Sequence, residues 1–383
     1  MATPALAPLP HDRPAPQAHF YRPELDVLRF IAFFSVFIAH LENAPVPADA
    51  SPLKAGLLHL YAVVVASGAF GMCIFFLLSA YLITELLIRE RAATGSIHLR
   101  AFYTRRILRI WPLYFGVVFA GYFIGLVLPH YALSGAWVAA FVFLAANWYT
   151  GRVGYAPSTV GVLWSISLEE QFYLLWPSIA KFGGLRALTI GSLLTIPLGY
   201  GVLFYLCRAG QPMQPTLWTN SFVQFSFFGL GALLALVLHR TQFSIPLWTR
   251  PVLLIAGILL WLSANQYFHV NGDFFEPRQK LVTCGFAVMT AGCVAIFLSL
   301  FGIARGVLPS PLIYLGKISY GLYVFHVPCR EVAQWLVGGV RHALLLQPLL
   351  EMALTIGVAT LSYRYFEMPF LRLKKRFEFV RTR

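Results

Sequence analysis

One constraint recurs about ten times along this chain: a run of apolar residues long enough to cross a lipid bilayer. A spanning helix takes about 20 predominantly apolar residues. Runs of that kind lie at 27–44, 67–88, 108–129, 171–181 with its flanks, 187–206, 220–239, 249–264, 281–302, 312–328 and 345–363. The expected fold class is therefore all-α: a polytopic transmembrane helical bundle of about ten spans. Composition agrees, since 58% hydrophobic and 11% charged residues over 383 positions is far from the soluble norm. The apolar stretch at 134–148 is shorter and flanked by polar or aromatic residues, so it reads as a short re-entrant or partial helix.

Charge placement orients the bundle, because Lys and Arg gather on the cytoplasmic side of short loops. Ten spans with a cytoplasmic N-terminus put 22 of the 29 Lys and Arg residues inside. The richest clusters are Arg89, Arg91, Arg100, Arg105, Arg106 and Arg109 before the third span, and Arg372, Lys374, Lys375, Arg376, Arg381 and Arg383 at the end. A full crossing at 134–148 would reverse every later loop and export that basic tail. Three regions follow: a flexible cytoplasmic tail at 1–20, rich in proline, a membrane domain at 21–370, and a basic cytoplasmic tail at 371–383. The first span doubles as the insertion signal, since no cleavable leader pattern precedes it. The net charge of +14 is covered by this inward bias and by anionic membrane lipid, so no nucleic-acid partner is expected. Cys73, Cys207, Cys284, Cys293 and Cys329 show neither metal-ligand spacing nor a disulfide framework, and they receive no role. No metal site is expected.

Ionisable residues inside spans are costly and point to function. Arg29 and His40 share the first span, and eleven helical steps of 1.5 Å place the histidine about 16 Å deeper than the arginine. Arg106 and Arg109, three apart on one helix face, form two guanidinium forks suited to phosphates, although they serve equally as positive-inside anchors. Glu169 and Glu170 point about 100° apart on a helix, so one is expected to look inward and the other toward solvent. Their alternative role is to complement a helix N-terminus capped by Ser165 or Ser167. His326, Tyr320 and Tyr323 fit an interfacial belt as well as a site, and Glu367 is expected to hold a structural ion pair beside the basic tail. On these residues alone a proton-coupled transporter of a small solute fits as well as an enzyme. No inverted repeat is evident, which counts mildly against the transporter.

The ordered motifs Leu25-Asp26-x-Leu28-Arg29 with His40, Phe75 to Thr84, Arg106-x-x-Arg109, Trp164-Ser165-x-Ser167-x-Glu169-Glu170-Gln171-Phe172-Tyr173, Ile318-Ser319-Tyr320 through His326, and Ser362-Tyr363 to Glu367-x-Pro369 resemble acyltransferase family 3. That family comprises bacterial membrane O-acyltransferases of cell-surface glycans and macrolide-type relatives. The chain departs from the pattern at Val27 and at Ala80-Tyr81, where Gly and Gly-Phe are more usual. The resemblance implies a multi-pass protein of the bacterial inner membrane with both termini cytoplasmic. Its implied reaction moves an acyl group, commonly acetyl, from cytoplasmic acyl-coenzyme A to a sugar hydroxyl of a cell-envelope polysaccharide or glycoside. The donor is a substrate, and no permanently bound cofactor is implied. His40, Glu170 and Arg29 carry over as catalytic residues and Arg106 and Arg109 as donor-binding residues, with Asp26, Glu169, Ser167, Tyr320 and His326 as further candidates. In this reading His40 is a general base or briefly carries the acyl group, while Glu170 orients it or the acceptor hydroxyl. Some relatives carry a fused extracytoplasmic esterase-like domain, which this chain is expected to lack. Acceptor, acyl group and oligomeric state stay open.

Overall fold

The structure, a computed structural model, describes residues 20–41, 47, 49–241, 244–271, 279–338 and 343–380. The proline-rich tail read at 1–20 lies outside them except for Phe20, as do Arg381 and Arg383. Among the described residues no strand forms. The helices are α1 (Pro23–Ala39), α2 (Pro52–Gly68), α3 (Gly71–Thr94), α4 (Leu99–Val127), α5 (Gly135–Val142), α6 (Ala146–Val153), α7 (Trp164–Arg208), α8 (Ser221–Arg240), α9 (Thr249–Gln266), α10 (Gln279–Leu300), α11 (Ser310–Lys317), α12 (Ser319–Val337), α13 (Ala343–Leu361) and α14 (Met368–Lys374). Among the described residues, five segments are long and apolar enough to cross a membrane: Pro52–Thr94, Leu99–Val127, Thr159–Arg208, Ser221–Arg240 and Lys280–Leu300. At 17 residues α1 falls just short of that length.

Three apolar runs divide differently from the sequence reading. Residues 171–181 and 187–206 belong to one 45-residue helix, α7, broken at Gly184, whose φ of 65° is a left-handed conformation that favours glycine. Arg91 closes over that break and donates from Nη1 to the Ala180 carbonyl at 3.0 Å. The run at 312–328 is cut at Ile318 into α11 and α12. Residues 52–66, outside every run named above, form most of α2, whose start is capped by Ser51 accepting from the Lys54 amide. Lys54 and His59 interrupt the apolar pattern there, and Leu53, Leu57, Leu60 and Tyr61 stay exposed. The stretch at 134–148 becomes α5 and the start of α6, two eight-residue helices joined through Leu144. Each rises about 12 Å, too little to cross.

The bundle is assembled by the pairings of α7 with α8, α9 with α10, α3 with α8, and α12 with α13. Around the site the closest approach is at Gly316 of α11, where an added Cβ would lie 1.8 Å from the Asp26 carbonyl oxygen on α1. Only glycine permits that contact, and it fixes the N-terminal end of α1 against α11. The C-terminal segment turns back onto the bundle, with α14 packed along α4.

Candidate active site

A cavity of about 220 Å³ gathers cations from separate parts of the chain. Arg29 comes from α1, Arg106 and Arg109 from α4, Lys317 from α11 and Lys374 from α14. Asp26 holds Arg29 at 3.6 Å and accepts the Tyr21 hydroxyl at 3.0 Å, so the buried aspartate positions the guanidinium. Arg106 lies between two rings, 5.5 Å from the Phe102 centroid and 5.2 Å from that of Tyr173, an arrangement that keeps a guanidinium in place without neutralising it. Arg109 lines the same wall.

Glu367 has the Arg109 guanidinium within electrostatic reach. It is buried at the cavity and accepts the Ser362 hydroxyl at 3.2 Å, within a π-helical turn spanning Ser362–Glu367. Such turns widen a helix locally and recur at functional sites.

Glu169 and Glu170 both face the protein interior, which corrects the expectation that one meets solvent. Glu170 is buried and its Oε2 accepts the Trp111 indole N–H at 2.9 Å, while Oε1 has no hydrogen-bond partner among the described residues. Glu169 is half-buried and accepts the Tyr173 hydroxyl at 3.2 Å, and that hydroxyl also meets Ser79. Arg106 lies within electrostatic reach of both carboxylates. The physical reason is that the start of α7 is enclosed by α3, α4 and α12, so a 100° turn leads from one interior wall to another. Neither serine caps this helix. Ser167 is fully buried and shares a 3.1 Å hydrogen bond with Tyr114, and Ser165 shares one of 2.7 Å with Tyr323. Tyr320 donates to the Ile110 carbonyl at 2.9 Å and ties α12 to α4.

Farther along α1, His40 meets His326 of α12 edge to face, with ring centroids 4.8 Å apart. His40 Nδ1 lies 2.8 Å from the Val36 carbonyl oxygen and His326 Nδ1 lies 2.6 Å from that of Tyr323. A carbonyl only accepts, so each neutral ring donates from Nδ1 and keeps a lone pair on Nε2. His40 is thus oriented by its own helix and not by Glu170. His40 is half-buried and His326 fully buried, and His326 Nε2 has no hydrogen-bond partner among the described residues. Tyr320 marks the level of Ile110, next to the indole that holds Glu170. His326 is six residues farther along α12, about 9 Å by helical rise. The polar groups therefore form a ladder: cations at the cavity, then the two carboxylates, then the histidine pair farthest along α1.

Sequence reasoning missed Lys317 and Lys374 as cavity groups and Trp111, Tyr173 and Ser79 as partners of the carboxylates. Lys374 was visible only as part of a basic run explained by topology. Trp111 stood two residues beyond Arg109, but nothing local linked it to Glu170.

The sequence matches the acyltransferase-domain family over residues 22–364. It is similar to peptidoglycan O-acetyltransferase OatA of Listeria monocytogenes, 27% identical over 372 residues that cover 91% of this chain and 56% of that protein. It is also similar to O-acetyltransferase OatA of Staphylococcus aureus MRSA252, 29% identical over 400 residues covering 94% and 60%. The chain thus spans less than two thirds of the length of these relatives. No solved structure matches it.

Proposed function

Because the chain belongs to acyltransferase family 3, matching its domain over residues 22–364, we propose that it is a membrane O-acyltransferase using cytoplasmic acyl-coenzyme A, acetyl-coenzyme A first, to acylate a sugar hydroxyl of the cell envelope. The observation that carries this reading is the ladder itself: a basic cavity holding Arg29, Arg106 and Arg109, and a histidine pair about 16 Å away along α1. That spacing suits a donor whose phosphates stay at the inner face while its thioester arm reaches inward. The Listeria relative is named a peptidoglycan O-acetyltransferase, which makes peptidoglycan the first acceptor to test.

In this mechanism the acceptor oxygen attacks the thioester carbonyl as His40 Nε2 takes the hydroxyl proton. The carbon–sulfur bond breaks, and the coenzyme A thiolate leaves with the proton returned by the imidazolium. An acyl-His40 intermediate would split the same transfer into two steps. Arg106 and Arg109 bind donor phosphates as charge-assisted pairs, and Arg29, set by Asp26, adds a third cation. Glu170 takes a hydrogen bond from the donor arm or the acceptor. The ten spans of this reading are α1, α3, α4, the two halves of α7, α8, α9, α10, α11 with α12, and α13. Both termini are then cytoplasmic in a bacterial inner membrane, and α2 extends α3 on the outer side.

The test is thiol release from acetyl-coenzyme A by inverted native membrane vesicles, comparing wild type with His40→Ala at matched protein levels. Release that vanishes in the variant supports the reading. Equal release removes His40 from the chemistry, and solute uptake without thiol release would favour a transporter.

A further inference from the structure

The bundle alone does not enclose the cavity. Beyond the π-helical turn the chain folds back as α14 and a short 3-10 turn, Lys375–Phe377, which carries Arg372, Lys374 and Lys375 to the cavity that Arg106 and Arg109 line. The segment is pinned in two ways. Arg105 Nη1 donates to the Phe377 carbonyl at 2.6 Å, with Arg105 itself held by Glu90 at 2.8 Å, and the rings of His98 and Phe379 stack with centroids 4.3 Å apart.

Charge counting makes this placement informative. Nine Lys and Arg residues line the cavity against four carboxylates. Positive-inside bias explains cations that face water in loops. It does not explain cations brought from α1, α4, α11 and α14 around one concavity, where like charges raise each other's cost. Lys374 shows the tension most clearly: only 15% of its side chain is exposed, and its Nζ lies 3.1 Å from an oxygen of Glu378, whose side chain is 7% exposed. Glu378 supplies from the chain's own tail an anion at the place where the cavity calls for one.

We infer that the C-terminal segment is a wall of the donor site, and that Lys374, with Lys317 at the end of α11, binds phosphate of the donor's nucleotide end by exchanging Glu378 for a phosphate oxygen. This inference rests on the acyl-coenzyme A reading above. It assigns the tail a binding role that neither the family's motifs nor the relatives' names supply. A phosphate in place of Glu378 is a stronger partner because it brings more charge and more acceptor oxygens.

The test is calorimetric titration of the full-length protein, reconstituted in lipid nanodiscs, with coenzyme A at about 0.1 M salt, where attraction at these distances is only partly screened. Lys374→Gln should weaken binding about tenfold, the scale of one charge-assisted hydrogen bond, and Lys374→Arg should preserve most of it. Glu378→Gln should tighten binding several-fold, because it removes the internal competitor. Binding that is weaker or unchanged in Glu378→Gln would make the pair structural only and overturn the inference, with thermal unfolding confirming that each variant is folded. If wild type binds coenzyme A, Arg106→Gln loses binding and Lys374→Gln binds as wild type does, the inference fails and the donor reading stands. If folded wild type does not bind coenzyme A, the donor reading fails and takes the inference with it.

Discussion

His40 and His326 stand edge to face 4.8 Å apart, each fixed by a hydrogen bond from Nδ1 to a carbonyl of its own helix. This gives both rings the same tautomer and leaves both Nε2 atoms as bases. The half-buried ring is open to a reactant and the fully buried one backs it. In the proposed mechanism His40 exchanges a proton with substrate while His326 sets its environment.

For His326→Ala we expect turnover to fall at least tenfold with little change in KM for the donor, because the proposed phosphate site lies about 16 Å away along α1. His40→Ala should abolish turnover. Steady-state thiol release in vesicles checks both, and a raised KM with normal turnover would instead place His326 in donor binding.

Trp111→Phe removes the indole that donates to Glu170 at 2.9 Å. A buried carboxylate deprived of its donor costs about 1–3 kcal/mol, so the variant should unfold at lower temperature. Glu170→Gln should recover part of that loss. A double-mutant cycle on thermal unfolding should therefore show coupling above about 0.5 kcal/mol, and strictly additive effects would mean that the contact contributes nothing.

Gly316→Ala would drive a Cβ into the Asp26 carbonyl at 1.8 Å, whereas Gly357 has nothing within 4 Å of an added Cβ. The first substitution should cost about 1–3 kcal/mol or more through overpacking and displace Arg29 along with α1. Gly357→Ala should be silent or slightly stabilising, since alanine is the better helix former. Thermal stability of the purified variants separates the two.

Lys374, in the tail outside the membrane spans, has its ammonium pushed down to about 8, by burial first and then by Arg109, with Arg106 adding to it and Glu378 opposing. The sign follows directly: the lysine is charged below that value and loses its charge as pH rises through it. A bound phosphate favours the charged form, so the coenzyme A Kd should rise by up to tenfold per pH unit above about pH 8. Lys374→Gln should flatten that part of the profile in titrations between pH 6.5 and 9.5.

Much of this protein was legible in the sequence because the signals are local. Apolar runs mark helices, and helical rise alone sets the separation of Arg29 from His40. The short helices α5 and α6 followed from the weakness of the run at 134–148. The limits were local as well. In α2, Lys54 and His59 interrupt an otherwise apolar helix. In α7 one glycine with positive φ joins what look like separate runs.

The site was legible as residues but not as an arrangement. Arg29 and the Arg106, Arg109 pair stood in separate motifs, and only the packing of α1 and α4 around one cavity unites them. The Glu169, Glu170 pair misled because a 100° separation tells which directions differ and not what lies in each.

The sequence by itself determined the helical class, the family motifs and the distance between groups on one helix. These depend on backbone hydrogen bonding and transfer from water to lipid, which act over a few residues at a time. Only the tertiary structure decided that His40 meets His326, that both carboxylates turn inward and that the basic tail folds back to place Lys374 beside Arg106 and Arg109. Those outcomes depend on close approaches between distant segments, such as Gly316 against the Asp26 carbonyl and Arg105 against Phe377. Shape complementarity of that kind has no period along the chain.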